Sequence, residues 1–177
     1  MLEHATEQDA AVGPDQDRPL STALERMKIE PVIRKANTAD APSIQKCVDA
    51  AYQHYTARIG KPPGPMLYDY CKVVRQHATF VAETDEIVGV LVLIRTKTGI
   101  LLDNVAVHPK QQGNGLGKLL IKFAETEARN QGFEKLDLYT HECMVESIEI
   151  YKTLGYTETD RREEQGYNRV YMHKLLS

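Results

Sequence analysis

The sequence lacks the features of a membrane protein and of a secreted protein. Its 177 residues contain no continuous apolar run of about 18 residues, the length that a membrane-spanning helix requires. The N-terminus has neither the basic flank nor the apolar stretch of a secretory signal peptide. We therefore expect a cytoplasmic protein that does not bind a membrane.

Cysteine is scarce, and the basic residues are dispersed. Cys47, Cys71 and Cys143 show no CxxC or CxxH spacing, so we expect reduced thiols rather than a disulfide framework, and no metal site. The formal net charge is -3, and lysine and arginine form no long basic stripe. Nucleic acid is therefore not a predicted partner, and a small molecule is favoured.

The composition indicates one domain preceded by an extension. With 42% apolar residues, the chain is long enough to bury a core. Residues 1–30 are acidic and aperiodic, which predicts a flexible N-terminal extension, within which Thr22 and Glu25 have the spacing of a capping box and predict a short helix. Residues 31–177 are predicted to form a single domain.

Beyond residue 31, apolar residues alternate between strand and helix periods in the order β-α-α-β-β-β-α-β-α-β-β. Strands in tandem followed by a strand–helix–strand unit predict an α/β domain with a mixed central β-sheet and helices on both faces. The second predicted helix contains Met66, Leu67, Tyr70 and Val74, and the strand before the glycines covers 100–107. Glu125 and Arg129 form a predicted i,i+4 pair on the long helix.

Three glycines in five positions lie between that strand, "LLDNVAV", and the helix "LGKLLIKFAETEA". A glycine-rich loop that leads into a helix forms an anion site, because free N–H groups and the helix dipole both favour negative charge there. Glycine also allows phosphate oxygens to approach the backbone. The segment predicts a phosphate-bearing ligand, and the alternative is a glycine-rich helix start that binds nothing.

Two common phosphate loops do not fit these residues. A Walker A loop ending at Lys118 requires glycine at position 112 and serine or threonine at 119, where the chain has Gln112 and Leu119. A dinucleotide fingerprint requires glycine at 118 or 120, where the chain has Lys118 and Leu120.

The hexapeptide "QGNGLG" instead fits the pattern Q/R-x-x-G-x-G/A, and here the chain resembles the GCN5-related N-acetyltransferases (GNAT). "VIRKANTADAPSI" is similar to the first strand and helix of that family, and "IEIYKTLGY" to its late helix. The resemblance covers about residues 32–176. It implies a GNAT fold and direct transfer of an acetyl group from acetyl-CoA, as co-substrate, to a primary amine.

The resemblance also assigns residues. It gives Tyr151 the role of general acid and the backbone N–H of Val105 the role of oxyanion donor. The loop would bind the pyrophosphate of coenzyme A, and the strand would pair with its pantetheine arm. The residues implied in binding are Val105, Ala106, Val107, Gln112, Gly113, Asn114, Gly115, Leu116, Gly117 and Lys118.

The general base is less determined. The strand glutamate of related histone acetyltransferases does not carry over, because Leu101 stands at its position. Asp103 and Asn104 interrupt an otherwise apolar strand, and Asp103 is our candidate. The alternatives are a structural hydrogen bond beside a strand bulge, a water relay, or catalysis by His141 or Glu142.

The acceptor is predicted to be an amine of a small molecule, an amino acid, or a peptide or protein. Tyr55, Tyr70 and Glu142 are candidate substrate contacts, with packing as the alternative for the tyrosines. A second mechanism would use Cys143, beside His141, as a nucleophile that forms an acetyl-enzyme. A second function is an acyl-CoA sensor without turnover, and because many relatives are dimers, a homodimer is left open.

Overall fold

The structure is a computed structural model that describes residues 30–176. The predictions for the N-terminal extension, including the short helix with Thr22 and Glu25, lie outside the described residues, apart from Glu30. Within the described part, no helix is both long enough and apolar enough to cross a membrane.

The helices and strands follow one another in the predicted order. The strands are β1 (Val32–Lys35), β2 (Ala78–Glu83), β3 (Ile87–Arg95), β4 (Ile100–Val107), β5 (Lys135–His141), β6 (Thr157–Glu164) and β7 (Tyr167–Leu175). The helices are α1 (Ala41–Ile59), α2 (Tyr70–Gln76), α3 (Leu116–Asn130) and α4 (Val145–Thr153).

All seven strands belong to one mixed sheet in the order β1-β2-β3-β4-β5-β7-β6. The β4–β5 pair is parallel and the other pairs are antiparallel. Alternate residues of β3 point to opposite faces: Leu91 and Leu93 pack in the cluster that contains α3, whereas Val90 and Val92 pack in the cluster that contains α1. Because helices cover both faces, β3 is apolar along nearly its whole length, and the predicted fold class is confirmed.

The predicted second helix is interrupted, which corrects one boundary. A 3-10 turn covers Gly64–Leu67, Tyr68 is extended, and α2 begins only after Asp69. The Asp69 side chain accepts a hydrogen bond from the Lys72 N–H and so caps the helix. Met66 and Leu67 therefore lie outside α2, in the segment 62–68, which we call the proline-rich turn. This turn forms one wall of the site described below.

Strands β4 and β5 separate halfway along their length. They pair only at Ile100↔Leu136, Leu101↔Asp137 and Leu102↔Leu138, whereas both strands continue beyond these pairs. The ladder between β4 and β3 shifts at the same point, because Val92 pairs with Asn104 and Leu93 with Leu102. Asp103 is thus the extra residue of a β-bulge. The separation leaves one edge of β4 open from Asp103 onward.

A buried ion pair joins α3 to β7. Glu125 is only 4% exposed, and both of its carboxylate oxygens accept hydrogen bonds from Lys174 Nζ at 2.9 Å. The predicted partner Arg129 lies farther away, with its Nη2 4.0 Å from Glu125 Oε2. Lys174 therefore provides most of the charge compensation for this carboxylate.

We expect the substitution Lys174→Met to lower the free energy of unfolding by about 3 kcal/mol, because it leaves a buried carboxylate without its main partner. The double variant Glu125→Leu/Lys174→Met should recover most of this loss, since it removes both charges from the interior. Urea unfolding followed by circular dichroism measures both. A single variant that unfolds at the same urea concentration as the wild type would show that Arg129 alone compensates Glu125.

Candidate active site

The glycine loop has a backbone that only glycine adopts readily. Gly113 and Gly115 have φ angles of +78° and +84°, in the left-handed region that disfavours other residues. A Cβ atom at either position would meet no atom within 4 Å, so their outer side is open. Gln112 Nε2 donates to the Val107 carbonyl at 3.0 Å, which holds the loop against the end of β4.

The loop leads directly into the N-terminus of α3. The first helical hydrogen bond runs from Leu119 N–H to Gly115 C=O at 3.0 Å, so the N–H groups of Leu116, Gly117 and Lys118 have no acceptor within the helix. The first turn carries no acidic residue, and Lys118 adds a positive charge. Free N–H groups, the helix dipole and this lysine together fit a pyrophosphate group.

The open edge of β4 presents backbone groups of alternate residues. Gly89 pairs with Val107, and His108 N–H donates to the Val88 carbonyl at 2.9 Å. In an antiparallel ladder, this pattern directs the N–H and C=O of Val105 and Val107 away from β3, toward the edge that β5 leaves. Val105 and Val107 therefore offer donors to an extended ligand, whereas the peptide groups of Ala106 face β3.

A cavity lies between the separated strands, α1, α4 and the proline-rich turn. The space between these elements amounts to about 720 Å³ when its open mouth is included. Five tyrosines form much of its wall. The lining residues are Tyr52, Ile59, Pro63, Gly64, Pro65, Tyr68, Leu102, Asp103, Val105, Tyr139, Thr140, His141, Met144, Ser147, Tyr151, Tyr167 and Arg169.

Tyr151 lies on α4, and its side chain lines this cavity together with Val105. Burial, with a smaller contribution from Tyr55, raises the pKa of Tyr151 to about 12, so its hydroxyl keeps its proton at physiological pH. Its ring packs edge-to-face on Tyr156, with 5.7 Å between the ring centroids. Within residues 30–176 the Tyr151 hydroxyl makes no hydrogen bond, so its proton is available to a ligand.

Asp103 provides a buried carboxylate in the wall of the cavity. The residue is 8% exposed, and its Oδ1 accepts hydrogen bonds from the hydroxyls of Tyr139 at 2.9 Å and Tyr68 at 3.4 Å. Its Oδ2 is buried and has no hydrogen-bond partner among the described residues, an arrangement that costs about 1–3 kcal/mol. Burial raises the pKa of Asp103, and the two tyrosine hydroxyls partly oppose this change.

Asn104, the neighbouring candidate, is fully engaged in structural hydrogen bonds. Its Nδ2 donates to the Tyr70 hydroxyl at 3.0 Å, and its Oδ1 lies 2.8 Å from the Tyr52 hydroxyl, which is also 2.9 Å from the Val105 carbonyl. Tyr70 in turn donates to the Pro65 carbonyl at 2.9 Å. This network attaches the proline-rich turn to β4. Asn104 therefore makes structural hydrogen bonds beside the β-bulge, which is the alternative that the sequence analysis left open.

The three candidate substrate contacts lie outside the cavity wall. Tyr70 belongs to the Asn104 network, and Tyr55 is buried beside Tyr52, with 6.4 Å between the ring centroids. Glu142 is exposed and accepts a hydrogen bond from Asn168 Nδ2 at 2.6 Å. None of the three lines the cavity, but Tyr55 is near enough to Tyr151 to contribute to its raised pKa, and Tyr70 is hydrogen-bonded to Asn104 beside Asp103.

Other tyrosines occupy the places that sequence reasoning gave to Tyr55 and Tyr70. Tyr52, Tyr139 and Tyr167 line the cavity, together with Arg169, whose guanidinium lies 4.1 Å from the centre of the Tyr139 ring. The signal for Tyr139 is in the sequence, because it belongs to the less buried face of an alternating strand. No comparable signal distinguishes Tyr52 from Tyr55 on the same helix.

His141 and Cys143 do not form a thiol–imidazole pair. The Nδ1 atom of His141 accepts a hydrogen bond from the backbone N–H of Cys143 at 3.1 Å. Burial lowers the pKa of His141, so the ring is neutral and carries its proton on Nε2. His141 lines the cavity with its acceptor nitrogen already engaged, whereas Cys143 is not part of the cavity wall.

The site contains no metal-binding group of residues in the part of the chain that the structure describes. Between residues 30 and 176, no three histidine, cysteine, aspartate or glutamate side chains are arranged to bind a metal ion. The donors of the site are instead backbone N–H groups and hydroxyls. Such donors suit the binding of a phosphate-bearing organic molecule.

Comparison with known proteins identifies the same family that the sequence resembles. The model of the acetyltransferase (GNAT) family matches residues 44–156. A relative from Escherichia coli (strain K12), the uncharacterized N-acetyltransferase YjgM, is 29% identical over 140 residues, which cover 73% of this chain and 84% of the relative. The family match includes the glycine loop, the open strand edge and every residue that lines the cavity except Tyr167 and Arg169.

Solved structures show the same fold. The PaiA N-acetyltransferase from Thermoplasma acidophilum, in complex with coenzyme A, aligns with a TM-score of 0.67 and 17% identity, covering 82% of this chain and 98% of that chain. A GNAT family acetyltransferase from Elizabethkingia anophelis with acetyl-CoA bound gives a TM-score of 0.64 and 20% identity, covering 84% of this chain and 100% of that chain.

Proposed function

The chain belongs to the acetyltransferase (GNAT) family, whose members use acetyl-CoA, and we propose that it transfers the acetyl group directly to a primary amine of a small molecule, an amino acid, or a peptide or protein. The observation that carries this proposal is the position of the open β4 edge. It connects the glycine loop, which fits a pyrophosphate, to the cavity that contains Tyr151 and Asp103.

The donor would be bound mainly by backbone groups. The loop from Gln112 to Lys118 would hold the pyrophosphate, and the N–H group of Val107 would pair with the pantetheine arm, which leaves the Val105 N–H for the acetyl carbonyl. When bound, acetyl-CoA supplies an activated thioester. The hydrogen bond from Gln112 Nε2 to the Val107 carbonyl holds the loop beside the strand edge, so these two parts of the proposed binding path have a fixed relative position.

Three groups of the chain would then act on the reaction. Asp103 accepts the proton that the acceptor ammonium must lose before its nitrogen can attack, since an alkylamine has a pKa near about 10. The Val105 N–H stabilises the negative charge that develops on the acetyl carbonyl oxygen. Tyr151 donates its proton to the departing thiolate. Its hydroxyl can do so because it is protonated at neutral pH.

We place this catalytic domain at residues 31–177.

The neutral His141, with its acceptor nitrogen already engaged by the Cys143 N–H, supports direct transfer rather than an acetyl-enzyme. An activated thiol would need an imidazole base within hydrogen-bond reach. In this structure the backbone N–H of Cys143 is hydrogen-bonded to the imidazole nitrogen that would act as that base.

Steady-state kinetics with acetyl-CoA and a panel of primary amines tests this proposal. Direct transfer requires both substrates to be bound together, so we expect intersecting initial-velocity lines, and the variant Cys143→Ala should keep the wild-type kcat. Parallel lines together with loss of activity in Cys143→Ala would indicate an acetyl-enzyme. Binding of acetyl-CoA without acetylation of any amine would favour the sensor function.

A further inference from the structure

The charges of the cavity are unequally compensated. Asp103 and Arg169 are the acidic and basic side chains of its wall. Arg169 forms an ion pair with Glu164, which does not line the cavity, and its guanidinium is stacked on Tyr139. Asp103 forms no ion pair within residues 30–176, and its buried Oδ2 accepts no hydrogen bond there. Arg169 and His77 act on Asp103 only through electrostatic attraction without a hydrogen bond, so the wall contains one carboxylate that lacks a bonded cation.

The uncharged part of the wall favours a cation with an apolar body. Tyrosine rings surround the carboxylate, and aromatic faces attract ammonium groups. Ile59, Pro63, Pro65 and Met144 provide apolar surface on the other sides. A buried acceptor oxygen that lacks a donor is costly, and an ammonium group supplies both the missing donor and the missing charge.

Two walls of the cavity are also joined to each other. The Tyr167 hydroxyl, at the start of β7, donates to the Pro62 carbonyl in the loop after α1 at 2.8 Å. Lys61 Nζ lies 3.7 Å from the centre of the Tyr167 ring, which strengthens the same connection. These contacts fix the position of Tyr167 relative to the loop after α1, and they thereby limit the width of the cavity between these two walls.

From these features we infer that the acceptor is a small, singly charged primary amine with an aromatic or branched apolar body and no carboxylate, bound through its ammonium group by Asp103 and the surrounding tyrosines. This inference rests on the proposed function for its catalytic consequence. As a statement about binding, it also stands on the cavity alone. An amino acid would bring a carboxylate toward a wall whose one cation is already paired with Glu164.

Calorimetric titration of the protein with three ligands of the same shape tests the inference. The ligands are 2-phenylethylamine, 2-phenylethanol, which lacks the charge, and L-phenylalanine, which adds a carboxylate. Each is titrated at pH 7 with and without saturating coenzyme A, which carries no acetyl group and so permits no turnover. We expect the amine to bind at least about tenfold more tightly than either of the other two, an advantage equivalent to one tenfold step in Kd.

The variant Asp103→Asn assigns the preference to its residue. It keeps the shape and the hydrogen bonds from Tyr139 and Tyr68 but removes the charge, so the amine and the alcohol should bind it equally. Equal binding of the amine and the alcohol by the wild type, or tighter binding of L-phenylalanine, would overturn the inference. Because this comparison uses wild-type protein, it remains decisive even if the variant does not fold.

Failure of the inference and failure of the proposed function give different results. Acetylation of L-phenylalanine or of a peptide, with no preference for 2-phenylethylamine, leaves the acetyltransferase function intact and overturns the inference. Binding of 2-phenylethylamine by a protein that binds neither coenzyme A nor acetyl-CoA supports the inference and removes the proposed function.

Discussion

Tyr151→Phe is expected to lower kcat by about 100-fold or more and to leave the KM for acetyl-CoA nearly unchanged. Loss of a positioned general acid typically costs a factor of about 100 to 10,000. The hydroxyl makes no hydrogen bond to residues 30–176, so its removal breaks no contact that supports the fold. Steady-state kinetics and thermal unfolding of the two proteins, measured side by side, separate catalysis from stability.

The pH profile provides a second measure of the same role. Because burial raises the pKa of Tyr151 to about 12, its hydroxyl remains protonated across the range in which the protein can be assayed. The rate of the wild type should therefore rise with pH, as the base and the amine lose their protons, and should not fall again below about pH 10. A descending limb near neutral pH that Tyr151→Phe abolishes would contradict this assignment.

Tyr156→Phe is the matched control. Tyr156 lies against Tyr151, carries a buried hydroxyl without a hydrogen-bond partner among the described residues, and does not line the cavity. The same chemical change should therefore leave kcat within about twofold of the wild type. If both variants lose activity equally, the effect of Tyr151→Phe reflects packing of α4, and the general-acid role is wrong.

The spacing of apolar residues predicted most helices and strands, because in most segments the residues that begin or end the element agree with that spacing. The limits of β3 and β4 are those that the apolar runs indicate, and Gly60 ends α1 in a left-handed conformation. The second helix was less predictable, because the capping preference of Asp69 competes with an apolar pattern that runs through it. Local hydrogen bonding of this kind overrides periodicity at the ends of helices.

The candidate site, like the fold, was only partly predictable from the sequence. Its backbone part follows from sequence, since glycines in left-handed conformations and a helix N-terminus are properties of one short segment. Its side-chain part depends on contacts across the fold, such as the hydrogen bond between Tyr139 and Asp103, 36 positions apart. Sequence reasoning identified Asp103 but chose Tyr55 and Tyr70 among the tyrosines, because spacing along a helix does not show which tyrosine faces the separated strands.

The largest effect on binding is expected from Gly117→Val. Gly117 belongs to the first turn of α3 and has no left-handed backbone, so valine is compatible with its conformation and the fold should persist. A Cβ atom there would lie 3.7 Å from Val107 Cγ2, in the space between the loop and the open strand edge. The added methyl groups would thus occupy the path that we assign to acetyl-CoA.

We expect this substitution to weaken acetyl-CoA binding by about 100-fold. Displacing the pyrophosphate from two backbone donors costs about 3 kcal/mol, since a hydrogen bond to a charged group contributes about 1.5 kcal/mol or more, and each 1.4 kcal/mol is a factor of ten in Kd. Calorimetric titration measures the change. Circular dichroism verifies that the variant is folded.

Gly99→Val is the control for that experiment, because it places the same side chain at the other end of β4. Its Cβ would also have its nearest neighbour at 3.7 Å, the Asp137 Oδ2 atom, but no part of the proposed binding path passes there. Gly99→Val should therefore bind acetyl-CoA as the wild type does. If both variants bind it normally, the donor does not run between the loop and the β4 edge, and the backbone groups of Val105 and Val107 lose their assigned role.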